Sequence, residues 1–302
     1  MVWAAPEVER YWQLYTEVYP RESAKSYTGF QFGHREVVRY FLEHRNEYDG
    51  LLLTPYDNNQ PQAFLLFYGA YPPGDLQRGG LGALQRDTKM RVASPEELGS
   101  YGWAQRKLWA VTPSELPLFA DYEVKEKVMA PDGTAAFVLV DVRQAKHFIF
   151  QWRVAGPYPS NATPPPPGPE ALGHGDYAGQ PWRPYNLPTA SVRLNDFFYR
   201  NADAVCAWAL SYVDTDNERD VGVFAGFDDN GEVWINGARV ALRVQGNRQE
   251  TLIDNEVGTA HLHAGRNLVA VKTCDVRDDW RFFFRLGNTD GSEAETLRWS
   301  TQ

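Results

Sequence analysis

The chain has 302 residues, of which 43% are hydrophobic, and a formal net charge of −9. This length exceeds the usual size of one domain, so we expect two compact domains, each with its own core. The acidic balance disfavours nucleic acid and anionic lipid as partners, because binding phosphates requires clustered Lys and Arg. No apolar run of about 18 residues and no signal-peptide pattern is present, which predicts a soluble chain.

The first part of the chain mixes helical and strand patterns. Apolar residues recur at helical spacing after Pro6 and again after Arg35. Residues 51–53 are three leucines, which is typical of a strand buried on both faces. Pro61 stands where a helix would begin, because the first turn needs no backbone N–H at that position. The order is therefore helix, helix, strand, helix.

Strand patterns continue beyond a stretch at 72–83 that is rich in Gly and Pro and is expected to be loose. A short apolar strand is predicted at 108–112. Alternating residues at 122–128 and 135–140 flank Asp132-Gly133, and Asp-Gly supports the positive φ angles of a hairpin turn. These patterns predict an α/β domain over residues 1–145.

Several segments of this domain follow one another in the order seen in a known protein family. The longest covers residues 30–77 and contains GHREVVRYFLEHRNEYDGLLLTPYDNNQPQAFLLFYGAYPPGDLQ from Gly33; shorter segments lie at 100–103, 111–115 and 132–137. They resemble the soluble C-terminal domain of membrane-embedded, lipid-phosphosugar-dependent glycosyltransferases related to protein mannosyltransferases. The resemblance implies an extracytoplasmic location and tethering to the transmembrane region of a parent enzyme.

The pattern changes at about Lys146. From there, short apolar segments alternate with clusters of Gly, Asn and Asp, which predicts an all-β sandwich over residues 146–302 and excludes a doubly wound domain. The four prolines at 164–167 predict a stiff, extended loop inside this domain.

Five segments of the second domain also resemble a known fold, the galactose-binding-like jelly roll. They are residues 152–158, 207–209, 228–237, 265–272 and 280–286. That fold is common as a sugar-binding module and as an accessory domain of glycosidases. The segments themselves are mostly scaffold, since Asn236-Gly237, for example, is best explained as a hairpin turn rather than as part of a ligand site.

A carbohydrate site in this domain would have to come from loops, because the sandwich only positions them. Sugar faces stack on exposed aromatic rings, and sugar hydroxyls require fixed polar partners. We therefore expect such a site at one rim of the sandwich, formed by Trp182, Tyr185, Asp228, Asp229 and Asp279.

Cofactor signals are weak. Asp214, Asp216 and Asn217 supply oxygen atoms suited to a structural calcium ion, although solvated turn residues are the favoured interpretation because the spacing is not that of an EF-hand. No other cofactor is expected. His261 and His263 are interpreted as two neighbours on one strand rather than as metal ligands.

Cys206 and Cys274 lie in apolar strand patterns. Because free cysteine packs as a small apolar side chain, two buried thiols are favoured over a disulfide, and metal ligation is the least favoured interpretation.

Catalysis has little support in the sequence. No nucleophile elbow, phosphate-binding loop or metal signature is present, and no residue matches the catalytic elements of the glycosyltransferases, which belong to their membrane part. We therefore expect a non-catalytic accessory region whose sandwich binds a glycan or glycolipid near a membrane enzyme. Two alternatives remain open: a purely structural module without a sugar site, and an accessory fragment of a glycosidase or lyase.

Overall fold

A computed structural model describes residues 5–24, 32–56, 58–100, 106–187, 189–198, 203–245, 253–277, 279–294 and 296–301. The chain divides into two compact units. The first comprises Met1–Pro95 and Tyr101–Ala145, and the second comprises Glu96–Ser100 and Lys146–Gln302. Residues 101–103, part of one segment of the first resemblance, lie outside the described residues.

The first unit contains helices and one mixed sheet. The helices are α1 (Ala5–Gln13), a π-helix (Leu14–Val18), α2 (Tyr19–Ala24), α3 (His34–His44), α4 (Pro61–Tyr68) and α5 (Pro73–Thr88), with a 3₁₀ turn at Pro113–Leu118. The strands are β1 (Gly50–Leu53), β2 (Met90–Val92), β3 (Lys107–Val111), β4 (Phe119–Met129) and β5 (Ala135–Ala145). Their order is β2-β1-β3-β5-β4, in which β1 is parallel to both neighbours and the other pairs are antiparallel.

The core of this unit follows the sequence patterns in part. The three leucines of β1 are buried, as are Val37, Val38 and Phe41 on one face of α3. By contrast, Tyr11, Trp12 and Tyr15 of the first helical segment are exposed. Helical spacing therefore defines an apolar face without deciding whether anything covers it.

The sequence predicted a loose stretch at 72–83, but from Pro73 onward this stretch belongs to helix α5. Pro73 stands in its first turn, and Gly80, with a φ of 60°, interrupts the helix. Ala83 and Leu84 beyond this kink are buried. Their packing compensates for the low helix propensity of the neighbouring glycines.

The predicted hairpin is confirmed, because β4 and β5 pair around Gly133, which has a φ of 87°.

The second unit is rich in β-structure, as the sequence predicted. Its strands are β6 (Trp152–Pro159), β7 (Asp176–Tyr177), β8 (Gln180–Pro181), β9 (Arg183–Tyr185), β10 (Ser191–Arg193), β11 (Val205–Thr215), β12 (Arg219–Asp228), β13 (Asn230–Ile235), β14 (Ala238–Arg239), β15 (Arg243–Val244), β16 (Glu256–Leu262), β17 (Gly265–Asp275), β18 (Arg281–Gly287) and β19 (Arg298–Ser300). Short helical pieces are 3₁₀ turns at Pro95–Ser100, Ser160–Ala162 and Ala171–Gly173, and α6 (Leu194–Phe198). In the described residues between 204 and 286, no helix interrupts the strands.

Two antiparallel sheets and one small hairpin make up this unit. A five-stranded sheet has the order β10-β18-β12-β16-β15. A seven-stranded sheet has the order β14-β13-β17-β11-β6-β9, with β19 paired to β11. Inward-facing residues of both sheets, among them Trp152, Val223 and Phe282, form one buried cluster. The architecture is that of a β-rich sandwich.

The seven-stranded sheet is also covered on its outer face. Because side chains alternate along a strand, Ala207 and Ala209 face the inner core whereas Trp208 and Leu210 belong to an outer cluster. The proline segment packs there, since the Pro164 carbonyl accepts a hydrogen bond from the Trp208 Nε1 at 3.2 Å. The stiff loop predicted from the prolines therefore forms a third layer over the sandwich.

Cys206 and Cys274 form a disulfide, so the expectation of two buried thiols is wrong. The two residues lie directly opposite each other on the antiparallel strands β11 and β17. This register brings their side chains together, and a separation of 68 residues gives no hint of it in the sequence.

The predicted Asn236-Gly237 turn between β13 and β14 is confirmed, with φ angles of 52° and 80°.

Within the described residues, none of the helices combines the length and the apolar composition that crossing a membrane would require.

Candidate functional site

Trp182, predicted to stack on a sugar, lies in the outer layer and is only 9% exposed. Its ring stacks against Tyr177 with the ring centroids 5.8 Å apart, and its Nε1 donates a hydrogen bond to the Ala171 carbonyl at 2.9 Å. The expected exposed platform is not present, because the loop layer that covers the seven-stranded sheet uses this ring as part of its own core.

Tyr185 is even more deeply buried, at 3% exposure, and belongs to the inner core. Its hydroxyl accepts a hydrogen bond from the Arg193 backbone N–H at 3.0 Å and donates one to the Ser191 carbonyl at 3.3 Å. Burial raises its pKa. The side chain thus anchors β10 and does not present a ring face to solvent.

The three predicted carboxylates do come together at one rim of the sandwich. The Arg281 Nε lies 3.9 Å from an Asp228 oxygen and 3.7 Å from an Asp279 oxygen. Asp229 instead accepts hydrogen bonds from the backbone N–H groups of Val276 and Arg277, at 2.6 and 3.2 Å. These hydrogen bonds fix the loop after β17 to Asp229, so the cluster has a structural role at the rim.

A fourth carboxylate joins this rim from the Pro95–Ser100 turn. Glu96 is buried and accepts hydrogen bonds from the Ser191 hydroxyl at 2.5 Å and from Arg193 at 3.1 Å. One of its oxygens also lies 3.7 Å from Arg281. Two guanidinium groups, of Arg193 and Arg281, therefore already lie close to three of the four carboxylates of this rim.

The loop predicted for calcium pairs its carboxylates with arginines. Asp214 lies 3.4 Å from Arg266, and Asp216 accepts a hydrogen bond from Arg298 at 2.6 Å, which lowers the Asp216 pKa. The Asn217 carbonyl accepts a hydrogen bond from the Thr215 hydroxyl. A calcium ion here would compete with Arg298 for both Asp216 oxygens and with Arg266 for one Asp214 oxygen.

A polar groove lies elsewhere, along β13 and β14, at the edge of the sandwich. Two adjoining cavities of about 330 and 230 Å³ share Gly231, Glu232 and Arg239. The Arg239 Nη2 donates a hydrogen bond to a Glu232 oxygen at 2.8 Å, and the Lys272 Nζ lies 4.0 Å from the other oxygen. The groove thus offers donors and acceptors within one concave surface.

Glu232 and Lys272 fall in the segments at 228–237 and 265–272, whose pattern predicts scaffold, and Arg239 follows the first of these segments. Glu232 and Lys272 are cross-strand neighbours on β13 and β17, and Arg239 lies opposite Trp234 across the hairpin. Alternation along β13 places Glu232 and Trp234 on the same face, so a polar residue two positions before the tryptophan is the signal that the sequence did contain.

A second polar cluster occupies the neighbouring ends of β12 and β16. His261 Nδ1 lies 2.8 Å from an Asp220 oxygen, and its Nε2 lies 2.7 Å from Glu218 Oε1. His263 Nδ1 lies 3.5 Å from that same Glu218 oxygen. The hydrogen bonds raise the pKa of His261 and lower that of Glu218. His261 lies on β16 and His263 one residue beyond its end, so the predicted placement of both on one strand holds only for His261, and Glu218 approaches them from just before β12.

No protein-family model matches the chain, and no curated protein sequence matches it. Among solved structures, the chain is similar to an anti-sigma factor domain-containing protein from Clostridium clariflavum, with 13% identity and a TM-score of 0.22 over 32% of this chain and 33% of that one. It is also similar to a Faecalibacterium prausnitzii β-glucuronidase, with 19% identity and a TM-score of 0.25 over 41% of this chain and 20% of that one.

A third similar structure is a β-glucosidase from Kluyveromyces marxianus in complex with glucose, with 9% identity and a TM-score of 0.32 over 85% of this chain and 28% of that one. The matched regions amount to a third or less of each of these three proteins. Likeness at these TM-scores establishes neither the fold nor the activity of this chain. The comparisons also give no support to the relation to protein mannosyltransferases, which stays a prediction.

Proposed function

We propose that this chain is a non-catalytic accessory region of a membrane-embedded, carbohydrate-active enzyme, and that its sandwich, a galactose-binding-like jelly roll, binds a glycan or glycolipid. The observation that carries the proposal is the groove around the Arg239–Glu232 ion pair. Its guanidinium and carboxylate groups are planar, partly exposed hydrogen-bonding groups of the kind that pair with sugar hydroxyls.

This ion pair is well suited to exchanging partners. Arg239 is 64% exposed, and exposed ion pairs contribute little to folding stability, so redirecting one toward a ligand costs little. The acidic rim is less suited, because Asp229 is committed to backbone N–H groups. We therefore place the carbohydrate site at the groove rather than at Trp182 and Tyr185.

The proposal includes an extracytoplasmic location for this chain. Disulfides persist mainly in oxidising compartments, and the Cys206–Cys274 bond joins two central strands of the seven-stranded sheet. The parent enzyme's transmembrane region would be the second partner.

The test begins with a glycan array and continues with calorimetric titration of any glycan bound. Binding with a dissociation constant in the millimolar to micromolar range, about −4 to −8 kcal/mol, is expected. Arg239→Ala and Glu232→Gln should each weaken it at least tenfold. Arg298→Ala removes a comparable exposed arginine from an ion pair with Asp216 and should leave the affinity unchanged.

A purely structural role is the competing function, and the burial of Trp182 and Tyr185 favours it. It would be supported if no glycan binds while all variants remain folded. If a glycan binds and both groove variants retain full affinity, the site lies elsewhere and the assignment to the groove is wrong. Hydrolysis of a glycoside by the pure chain, abolished by one carboxylate substitution, would overturn the non-catalytic assignment.

A further inference from the structure

The cluster at the ends of β12 and β16 combines two imidazoles and two carboxylates on one sheet face. Asp220 lies directly opposite His261 in the antiparallel register. Glu218 immediately precedes β12 and His263 immediately follows β16, and the contacts of Glu218 with both histidines bring the four side chains together.

The geometry converges on one oxygen atom. Glu218 Oε1 lies 2.7 Å from His261 Nε2 and 3.5 Å from His263 Nδ1. One ligand atom from each of these three residues lies within 4.8 Å of the others. A tetrahedral zinc ion, with bonds of about 2.0–2.2 Å, holds its ligand atoms about 3.3 Å apart, so small rotations of these exposed side chains bring all three into its shell.

Asp220 determines which nitrogen of His261 is available. A carboxylate beside Nδ1 holds the proton there, as in the carboxylate–histidine–metal arrangements of known metal sites. Nε2, which lies 2.7 Å from the Glu218 carboxylate, is then the nitrogen of His261 that can bind a metal ion together with Glu218.

We propose that Glu218, His261 and His263 bind a divalent transition-metal ion such as Zn²⁺, with Asp220 orienting His261. Two nitrogen ligands and one carboxylate suit zinc and its neighbours rather than calcium or magnesium, which prefer all-oxygen sites. The three protein ligands leave coordination positions open to water, and the ion joins the ends of two adjacent strands. Asp220 acts as a positioning residue, since it touches the histidine and not the metal.

Zinc binding by the full chain tests the proposal. After treatment with EDTA and buffer exchange, titration with ZnCl₂ should show one site per chain, and zinc should raise the melting temperature, because a ligand of the native state alone stabilises it. CaCl₂ should show no binding that depends on His261 or His263. Co²⁺ should give visible absorption bands whose position reports nitrogen and oxygen ligands.

The variants assign the ligands. His261→Ala and His263→Ala should each abolish the binding site, and Asp220→Asn should weaken zinc affinity by about 10–100-fold while retaining stoichiometry. His174→Ala is the matched control, because His174 is an exposed histidine of the same unit outside the cluster. Circular dichroism confirms that each variant is folded, and either histidine variant alone suffices for the test.

The proposal is wrong if zinc does not bind at one site per chain. It is also wrong if folded His261→Ala or His263→Ala retains the affinity of the parent, or if His174→Ala loses as much. These outcomes are independent of glycan binding, since the cluster and the groove share no residue.

Discussion

Two charged clusters of the sandwich differ mainly in burial. Arg285 is 1% exposed and donates hydrogen bonds to Asp254 at 2.7–3.0 Å, while its guanidinium covers the Phe224 ring at 3.9 Å. The Lys146 Nζ lies 2.7 Å from the same aspartate. The cluster around His261, by contrast, is open to solvent on β12 and β16. Both clusters contain ion pairs at similar distances.

Burial gives similar contacts different consequences. Removing one partner of a buried ion pair leaves the other charge with neither a partner nor water. Such a removal therefore strongly destabilises the fold. Exposed pairs are screened by solvent, contribute little and can exchange partners. The Arg285 cluster is therefore structural, whereas the ion pairs of the His261 cluster and of Arg239–Glu232 can exchange partners at little cost to stability.

The largest expected effect breaks the buried cluster. Arg285→Met should lower the free energy of unfolding by about 3–5 kcal/mol, because Asp254 and Glu293 both lose the buried guanidinium and only Lys146 still contacts Asp254. Urea denaturation measures the change. Arg298→Met is the matched exposed control and should change stability far less. Equal losses in the two variants would contradict the distinction based on burial.

The next effect concerns a neutral buried side chain. Trp182→Ala should lower the free energy of unfolding by about 3 kcal/mol, through loss of packing against Tyr177 and of the hydrogen bond to Ala171. Thermal unfolding together with glycan titration separates the two roles. If Trp182→Ala stays as stable as the parent but loses glycan binding, the ring belongs to a binding site and not to the core.

The smallest effect is expected at the exposed cluster. In the presence of EDTA, His261→Ala should leave the urea midpoint unchanged within the error of the measurement, because its partners remain hydrated. With zinc added, only the parent should gain stability. A marked loss of stability of the metal-free variant would show that the cluster is part of the folding core.

The sequence predicted those features that depend on local pattern. The hairpin at Asp132-Gly133 and the turn at Asn236-Gly237 follow from residues that tolerate positive φ, and both are confirmed. The short alternating segments after Lys146 predicted a β-rich sandwich, which the two antiparallel sheets confirm. The prediction of a loose stretch at 72–83 was wrong because the packing of Ala83 and Leu84 overrides weak helix propensity.

The candidate sites depended on register, which no local pattern reveals. The same aromatic side chain is a stacking platform if its loop is uncovered and a core residue if other residues cover it, and Trp182 packs against Tyr177 and bonds to the Ala171 carbonyl. Likewise, Glu218 lies beside His261 and His263 only because β12 and β16 are adjacent.

The amino-acid sequence by itself determined the turns, the alternation of buried and exposed strand residues, and the acidic, polar composition of the loops, since these follow from the preferences of each residue and its nearest neighbours. Only the tertiary structure decided the Cys206–Cys274 bond, the burial of Trp182 and Tyr185, and the meeting of Glu218 with the two histidines. Each of these depends on which strands pair and in what register, and that choice minimises the free energy of the whole sandwich rather than that of any single segment.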